Sequence, residues 1–111
     1  MYLRKSKLED FKYVVENMRQ IDRLESNYQT DMTPEDALSF TFLESELKMT
    51  IASDDDKSIG LCGVFKDGCI WCISTDEMFS NKKYRIQLIR QGRVWVDNLL
   101  ESYKILYNYV Y

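Results

Sequence analysis

The chain has no histidine, one proline, four glycines and three cysteines, and no apolar run approaches the ~18 residues of a membrane span. Without histidine, the commonest metal ligand and the usual general base near neutral pH are both missing. The cysteines, Cys62, Cys69 and Cys72, are odd in number, which argues against a disulfide framework. Cys69 and Cys72 only mimic a metal-binding pair, because strand residues three apart face opposite sides and stand roughly 10 Å apart. All three are read as buried, reduced thiols serving as small hydrophobes. The N-terminus is charged from Arg4 onward and lacks the apolar core of a signal peptide, so a cytosolic location is expected.

What is present suits one small folded domain: 111 residues, 45% apolar and 30% charged. The net charge of −3 conceals an asymmetry, since residues 1–80 hold nine basic and sixteen acidic side chains and residues 81–111 hold six and two.

Tyr2-Leu3-Arg4-Lys5 reads as a first strand. Ser6-Lys7-Leu8-Glu9 fits a capping box opening a helix, whose stripe Phe11, Val14, Val15, Met18 and Ile21 runs to about Leu24. Ser26 to Asp31 is a polar connection. Thr33-Pro34-Glu35-Asp36 then combines a cap, a proline at the first helical position and acids in the positive first turn, which starts a second helix through Leu38, Phe42 and Leu43.

Leu47 to Ser53 and Ile59 to Lys66 read as a hairpin across a charged turn. Asp54, Asp55 and Asp56 in that turn lack the alternate-residue spacing of a calcium loop and are read as solvated. Lys66-Asp67-Gly68 marks a second, tight turn, so the strands ending at Phe65 and starting at Cys69 are antiparallel neighbours. The strand Cys69 to Ser74 is apolar on both faces, which predicts a mid-sheet position.

Thr75 to Ser80 reads as a loop before a long helix with an apolar stripe of Leu88, Ile89, Gly92, Trp95, Val96, Leu99, Leu100 and Tyr103. Gly92 is expected to pack closely against the sheet, and Trp71, Trp95, Leu88 and Leu99 to share one core. Ile105 to Tyr111, rich in aromatic and β-branched residues, predicts a final strand parallel to Cys69–Ser74. Carrying no charge after Lys104, it would leave an unprotected edge, which suggests strand addition by another copy or a partner, with Tyr107, Tyr109 and Tyr111 as anchors.

The order strand, helix, helix, three antiparallel strands, helix, strand resembles the first two-thirds of the acetyltransferase family called GNAT. More closely, Gly60-Leu61-Cys62-Gly63, Cys69-Ile70-Trp71-Cys72-Ile73-Ser74-Thr75-Asp76 and Tyr107-Asn108-Tyr109-Val110 resemble the GNAT-like internal virion proteins of short-tailed phages. The resemblance implies an α+β fold, with a mostly antiparallel sheet of about five strands and three helices, lacking the family's C-terminal helix and last strands. It also implies a protein of the host cytoplasm or the virion.

Acetyl-CoA is the cofactor the resemblance implies, held in that family by Gln or Arg, two residues, Gly, one residue, then Gly or Ala, at the start of the third helix. The best register here starts at Arg85 but puts Leu88 and Arg90 at the small positions. Asp76 and Glu77 would sit where phosphates need positive charge, which Lys82, Lys83 and Arg85 could offset. No acid lies between Cys69 and Thr75 to act as base, and Tyr107 and Tyr109 read as packing residues, so no catalytic residue is assigned.

Three functions follow, in descending order. The first is non-catalytic binding of a protein partner, self, phage or host. The second is an N-acetyltransferase using acetyl-CoA through Lys82, Lys83 and Arg85, and the third is nucleic-acid binding through Lys82, Lys83, Arg85, Arg90 and Arg93, which is disfavoured in an acidic chain.

Overall fold

Ser58-Ile59-Gly60-Leu61-Cys62-Gly63-Val64 contains no charged side chain, and all seven of its residues are buried. A strand of that composition needs a layer on each face, and the rest of the chain supplies both. The computed structural model describes residues 1–20 and 33–108. Its elements are β1 (Tyr2–Lys5), α1 (Leu8–Asn17), α2 (Pro34–Glu44), β2 (Leu47–Ala52), β3 (Ser58–Val64), β4 (Ile70–Ser74), α3 (Asp76–Ser80) and α4 (Lys82–Leu99). The fold is α+β, a four-stranded sheet in the order β1-β2-β3-β4 with every pair antiparallel. Among the described residues no helix is long and apolar enough to cross a membrane.

The register explains how β3 serves two cores. Ala52 lies opposite Ser58 and Ile51 opposite Gly60, so Ile59 is the extra residue of a bulge and swings to the face that carries Cys62. On that face Ile51, Ile59 and Cys62 pack with Met78 of α3 and Tyr84 of α4, with Leu88 and Trp95 against them. On the other face Leu61 and Trp71 pack with Val14 and Met18, and Leu38 of α2 closes the layer. Gly63 has no room for a side chain, because a Cβ there would meet the Leu47 carbonyl at 2.5 Å and the Trp71 ring at 2.8 Å.

Several expectations are corrected. Trp71 and Trp95 do not share a core; they lie on opposite faces of the sheet. Ile89 and Leu100 are exposed, since the buried side of α4 follows Tyr84, Leu88, Trp95 and Leu99 and turns those two outward. The segment expected to be a loop before α4 forms the short helix α3. Ser6 does not cap α1. The helix starts at Leu8, and the Asp10 carboxylate, not Glu9, accepts from the Lys7 amide at 2.8 Å. Helix α1 ends at Asn17 because Met18 turns to bridge Thr75; Ile21 and Leu24 lie outside the described residues.

Among the described residues the expected fifth strand, Ile105 to Tyr111, amounts to one parallel bridge, and Tyr109, Val110 and Tyr111 lie outside those residues. The Tyr107 amide donates to the Gly68 carbonyl at 3.1 Å and the Ile70 amide to the Tyr107 carbonyl at 2.9 Å, pairing Tyr107 with Cys69. Ile105 and Leu106 run beside the hairpin turn rather than beside β4. Gly68 adopts φ +98° there, and the Ile105 carbonyl occupies the space of the missing side chain. Among the described residues strand β4 is therefore the last strand of the sheet and not a central one; its outer side meets Tyr107 at one end and the Arg19 amide at the other, 3.1 Å from the Ser74 carbonyl.

The aspartate turn is exposed, as expected, but two of its carboxylates also clamp distant parts of the chain. Asp54 accepts from the Met1 amino group at 2.5 Å and pairs with Lys83 at 2.9 Å, while Asp56 takes the Arg4 Nε at 2.8 Å and the Tyr2 hydroxyl. Arg4 also grips Asp10 in a two-pronged pair at 2.6 and 2.9 Å, and the Thr50 hydroxyl adds a bond to the same carboxylate at 3.0 Å. Burial alone would raise the Asp10 carboxyl, but Arg4, the Lys7 amide and Thr50 together hold it below the ordinary value. The N-terminal amine, then Lys83, hold Asp54 down to about 2, and Tyr2 with Arg4 depress Asp56.

Two outcomes are expected. Trp71 is buried and its indole N–H donates to Ser45 Oγ at 2.6 Å, so Trp71→Ala should cost about 3–5 kcal/mol. Half-buried Trp95, which borders a cavity, should cost about 1–3 kcal/mol as Trp95→Ala, and equal losses in denaturant unfolding would contradict the division into two cores. The depressed carboxyls set the pH response: their stabilisation is present above the ordinary value of 3.8 and is lost as pH falls below it, with Asp54 holding its charge down to about 2. Thermal midpoints should therefore drop between those limits, less so in Asp10→Asn, and a flat profile would exclude the clamp.

Candidate functional site

Of the basic residues singled out in the sequence, Lys82, Lys83 and Arg85 stand at the start of α4, where Lys83 and Arg85 are already engaged, and Arg90 and Arg93 lie further along the helix. Asn81 caps the helix, its side chain accepting from the Tyr84 amide at 3.3 Å. Lys83 reaches across to Asp54, which raises its ammonium above the usual value, and the Arg85 guanidinium donates to the Phe79 carbonyl. Lys82, Arg90 and Arg93 are exposed. Leu88, at a position where the acetyltransferase resemblance would need a small residue, packs into the core against the sheet. Asp76 and Glu77 stand in the first turn of α3, just ahead of this helix start.

The tyrosines are separated in role. Tyr107 is half-buried, and its hydroxyl donates to Asp67, which also accepts from the Cys69 amide at 3.1 Å. Those two bonds hold the Asp67 carboxyl below its ordinary value, the phenol first. Tyr107 thus pins the returning chain to the β3–β4 turn. Tyr109 and Tyr111 lie outside the described residues. Tyr103, not singled out from sequence beyond its helix stripe, donates its hydroxyl to Glu46.

Two concave regions stand out. A cleft of about 250 Å³ between α1 and α3 is lined by Tyr13, Glu16, Asn17, Asp76 and Glu77, with Glu77 paired to Lys57 at 3.0 Å. A cavity of about 290 Å³ lies between α4 and the sheet, bordered by Leu3, Ile51, Cys62, Cys72, Leu88 and Trp95. Gly92 faces it, and nothing stands within 4 Å of where its Cβ would be. The expected close packing at Gly92 is corrected: the missing side chain leaves space instead of allowing contact.

The cysteines also differ from expectation. Cys62 is buried, Cys69 half-buried and Cys72 exposed. Cys62 and Cys72 face each other across β3 and β4, a pairing that comparison of Cys69 with Cys72 missed. Burial, and then the neighbouring Cys72, push the Cys62 thiol well above its usual value. Among the described residues no group of three or more metal-ligating side chains converges.

No family model, curated protein or solved structure matches the chain.

With Lys83 and Arg85 engaged and Leu88 filling a position that would need a small residue, the helix start is poorly suited to a pyrophosphate, so sub-millimolar acetyl-CoA should not shift the melting temperature. A clear rise would overturn this and make Lys82, Lys83 and Arg85 the first contacts to mutate.

Proposed function

We propose that this protein works by binding another protein through the outer face of α4, not by acyl transfer. The observation that supports this reading most is the exposure of Ile86, Ile89, Val94 and Leu100 on a helix whose opposite side already fills the core; Ile89 is 75% exposed. Residues 86, 89, 93, 97 and 100 recur at three- and four-residue steps and share one outward side, on which Arg93 and Asp97 stand between Ile86 with Ile89 and Leu100, and Arg90 borders it. An amphipathic helix normally turns water-loving residues outward, and large apolar residues interleaved with charges on the outer side are the pattern of a surface that is covered in use. A partner with apolar contacts and charges complementary to Arg90, Arg93 and Asp97 fits it.

The resemblance to phage internal virion proteins, resting on Gly60–Gly63, Cys69–Asp76 and the segment from Tyr107, favours a role in virion assembly or in binding a host macromolecule. The partner can equally be a second copy of the chain, and light scattering separates that case from a different protein.

The test uses Ile89→Glu. Because Ile89 is a surface residue, stability should change by no more than about 0.5 kcal/mol. Self-association, or proteins captured by the wild-type chain, should be lost in the variant. Identical association by both proteins would exclude the α4 face.

A further inference from the structure

The hydrogen bonds at the two ends of the β3–β4 ladder fix the class of every pair between them. The Phe65 amide donates to the Cys69 carbonyl at 2.9 Å and the Thr75 amide to the Ile59 carbonyl at 3.0 Å, which marks both end pairs as hydrogen-bonded. Antiparallel pairs alternate, and the Cys62–Cys72 pair lies three steps from either end, in the class without backbone bonds. Its Cα atoms therefore stand about 4.5 Å apart, the closest side-chain approach an antiparallel ladder offers, inside the ~4.4–6.8 Å range of disulfides. Both side chains face α4, and both border the same cavity of about 290 Å³. They differ in access: Cys62 is 4% exposed, whereas Cys72 is open to solvent.

We propose that Cys62 and Cys72 form a thiol–disulfide exchange site that takes up a small uncharged disulfide and closes to a cross-strand bond. The Cys72 thiolate attacks one sulfur of the incoming disulfide, forming a mixed disulfide and releasing one thiolate. The Cys62 thiol then gives up its proton, and its sulfur attacks the Cys72 sulfur and expels the second thiolate. Two protein thiols are oxidised to one disulfide, and one small disulfide is reduced to two thiols. The order follows from access: Cys72 meets the reagent, and Cys62 reacts only inside the pair, where proximity compensates for a thiol that burial keeps protonated. The preference for an uncharged reagent follows from the apolar walls, Leu3, Ile51, Leu88 and Trp95, which cannot solvate a charged substituent. Cys69, three residues from Cys72 along the strand, points to the other face and cannot replace Cys62.

The full chain treated with oxidised mercaptoethanol and mapped without reduction should yield a peptide linking residues 62 and 72, reversed by dithiothreitol. Cys72→Ser should abolish modification of Cys62, while Cys62→Ser, or Cys62→Ala should the serine disturb the buried site, should accumulate the mixed disulfide on Cys72. Oxidised glutathione, which is charged, should react several-fold more slowly. Modification confined to Cys69, or the same mixed disulfide on Cys72 with and without Cys62, would overturn the exchange site. Equal rates with the two reagents would remove the cavity from it.

Discussion

A strand without a charged side chain, buried on both faces, is the constraint from which this fold follows. β3 cannot stand at a surface, so the chain must place a helical layer on each side of it. Helices α1 and α2 cover one side, and α3 with α4 cover the other. The bulge that turns Ile59 out of register lets one strand feed both cores, and Gly63 leaves room for the Trp71 ring beside it.

Electrostatics then ties the first residues to this frame. Arg4 sits between Asp10 and Asp56, and Asp54 joins the chain start to α4 through Lys83. The strength of these contacts is uneven. Arg4–Asp10 is partly buried and hydrogen-bonded on several sides, while Asp54 and Asp56 are exposed and screened by solvent, so the first counts most for stability. The same contacts bear on function, because cations held by their own protein are poorly placed to receive phosphates. What is left outward on α4 includes the large apolar residues Ile86, Ile89 and Leu100 among charges, and that directs the functional reading toward a protein surface.

The cysteines show how position, not residue type, decides chemistry. Cys69 and Cys72 are neighbours in sequence but face apart; Cys62 and Cys72 are ten residues apart yet meet across a ladder. The pairing was latent in the Asp67-Gly68 turn, since a hairpin joining Phe65 to Cys69 brings residue 62 opposite residue 72. What that turn could not show is which of the pair is buried and that a cavity opens beside both.

Local chemistry determined much of this protein from sequence alone. The Thr33-Pro34 helix start, both hairpin turns, the buried side of α1 and the antiparallel order of β2, β3 and β4 all rest on caps, turn residues and periodicity, which act within a few residues. Tertiary structure decided the rest. An apolar residue on α4 can face the sheet or the solvent, and only the packing of Tyr84, Leu88 and Trp95 shows that Ile89 and Leu100 face out. Three consecutive aspartates are exposed, but only the fold shows that Asp54 and Asp56 also meet Met1, Lys83 and Arg4 from distant parts of the chain. Ile105 and Leu106 have the composition of a strand but no strand beside them, because a residue's β-propensity is realised only where a partner's backbone lies alongside, and here that backbone is a turn.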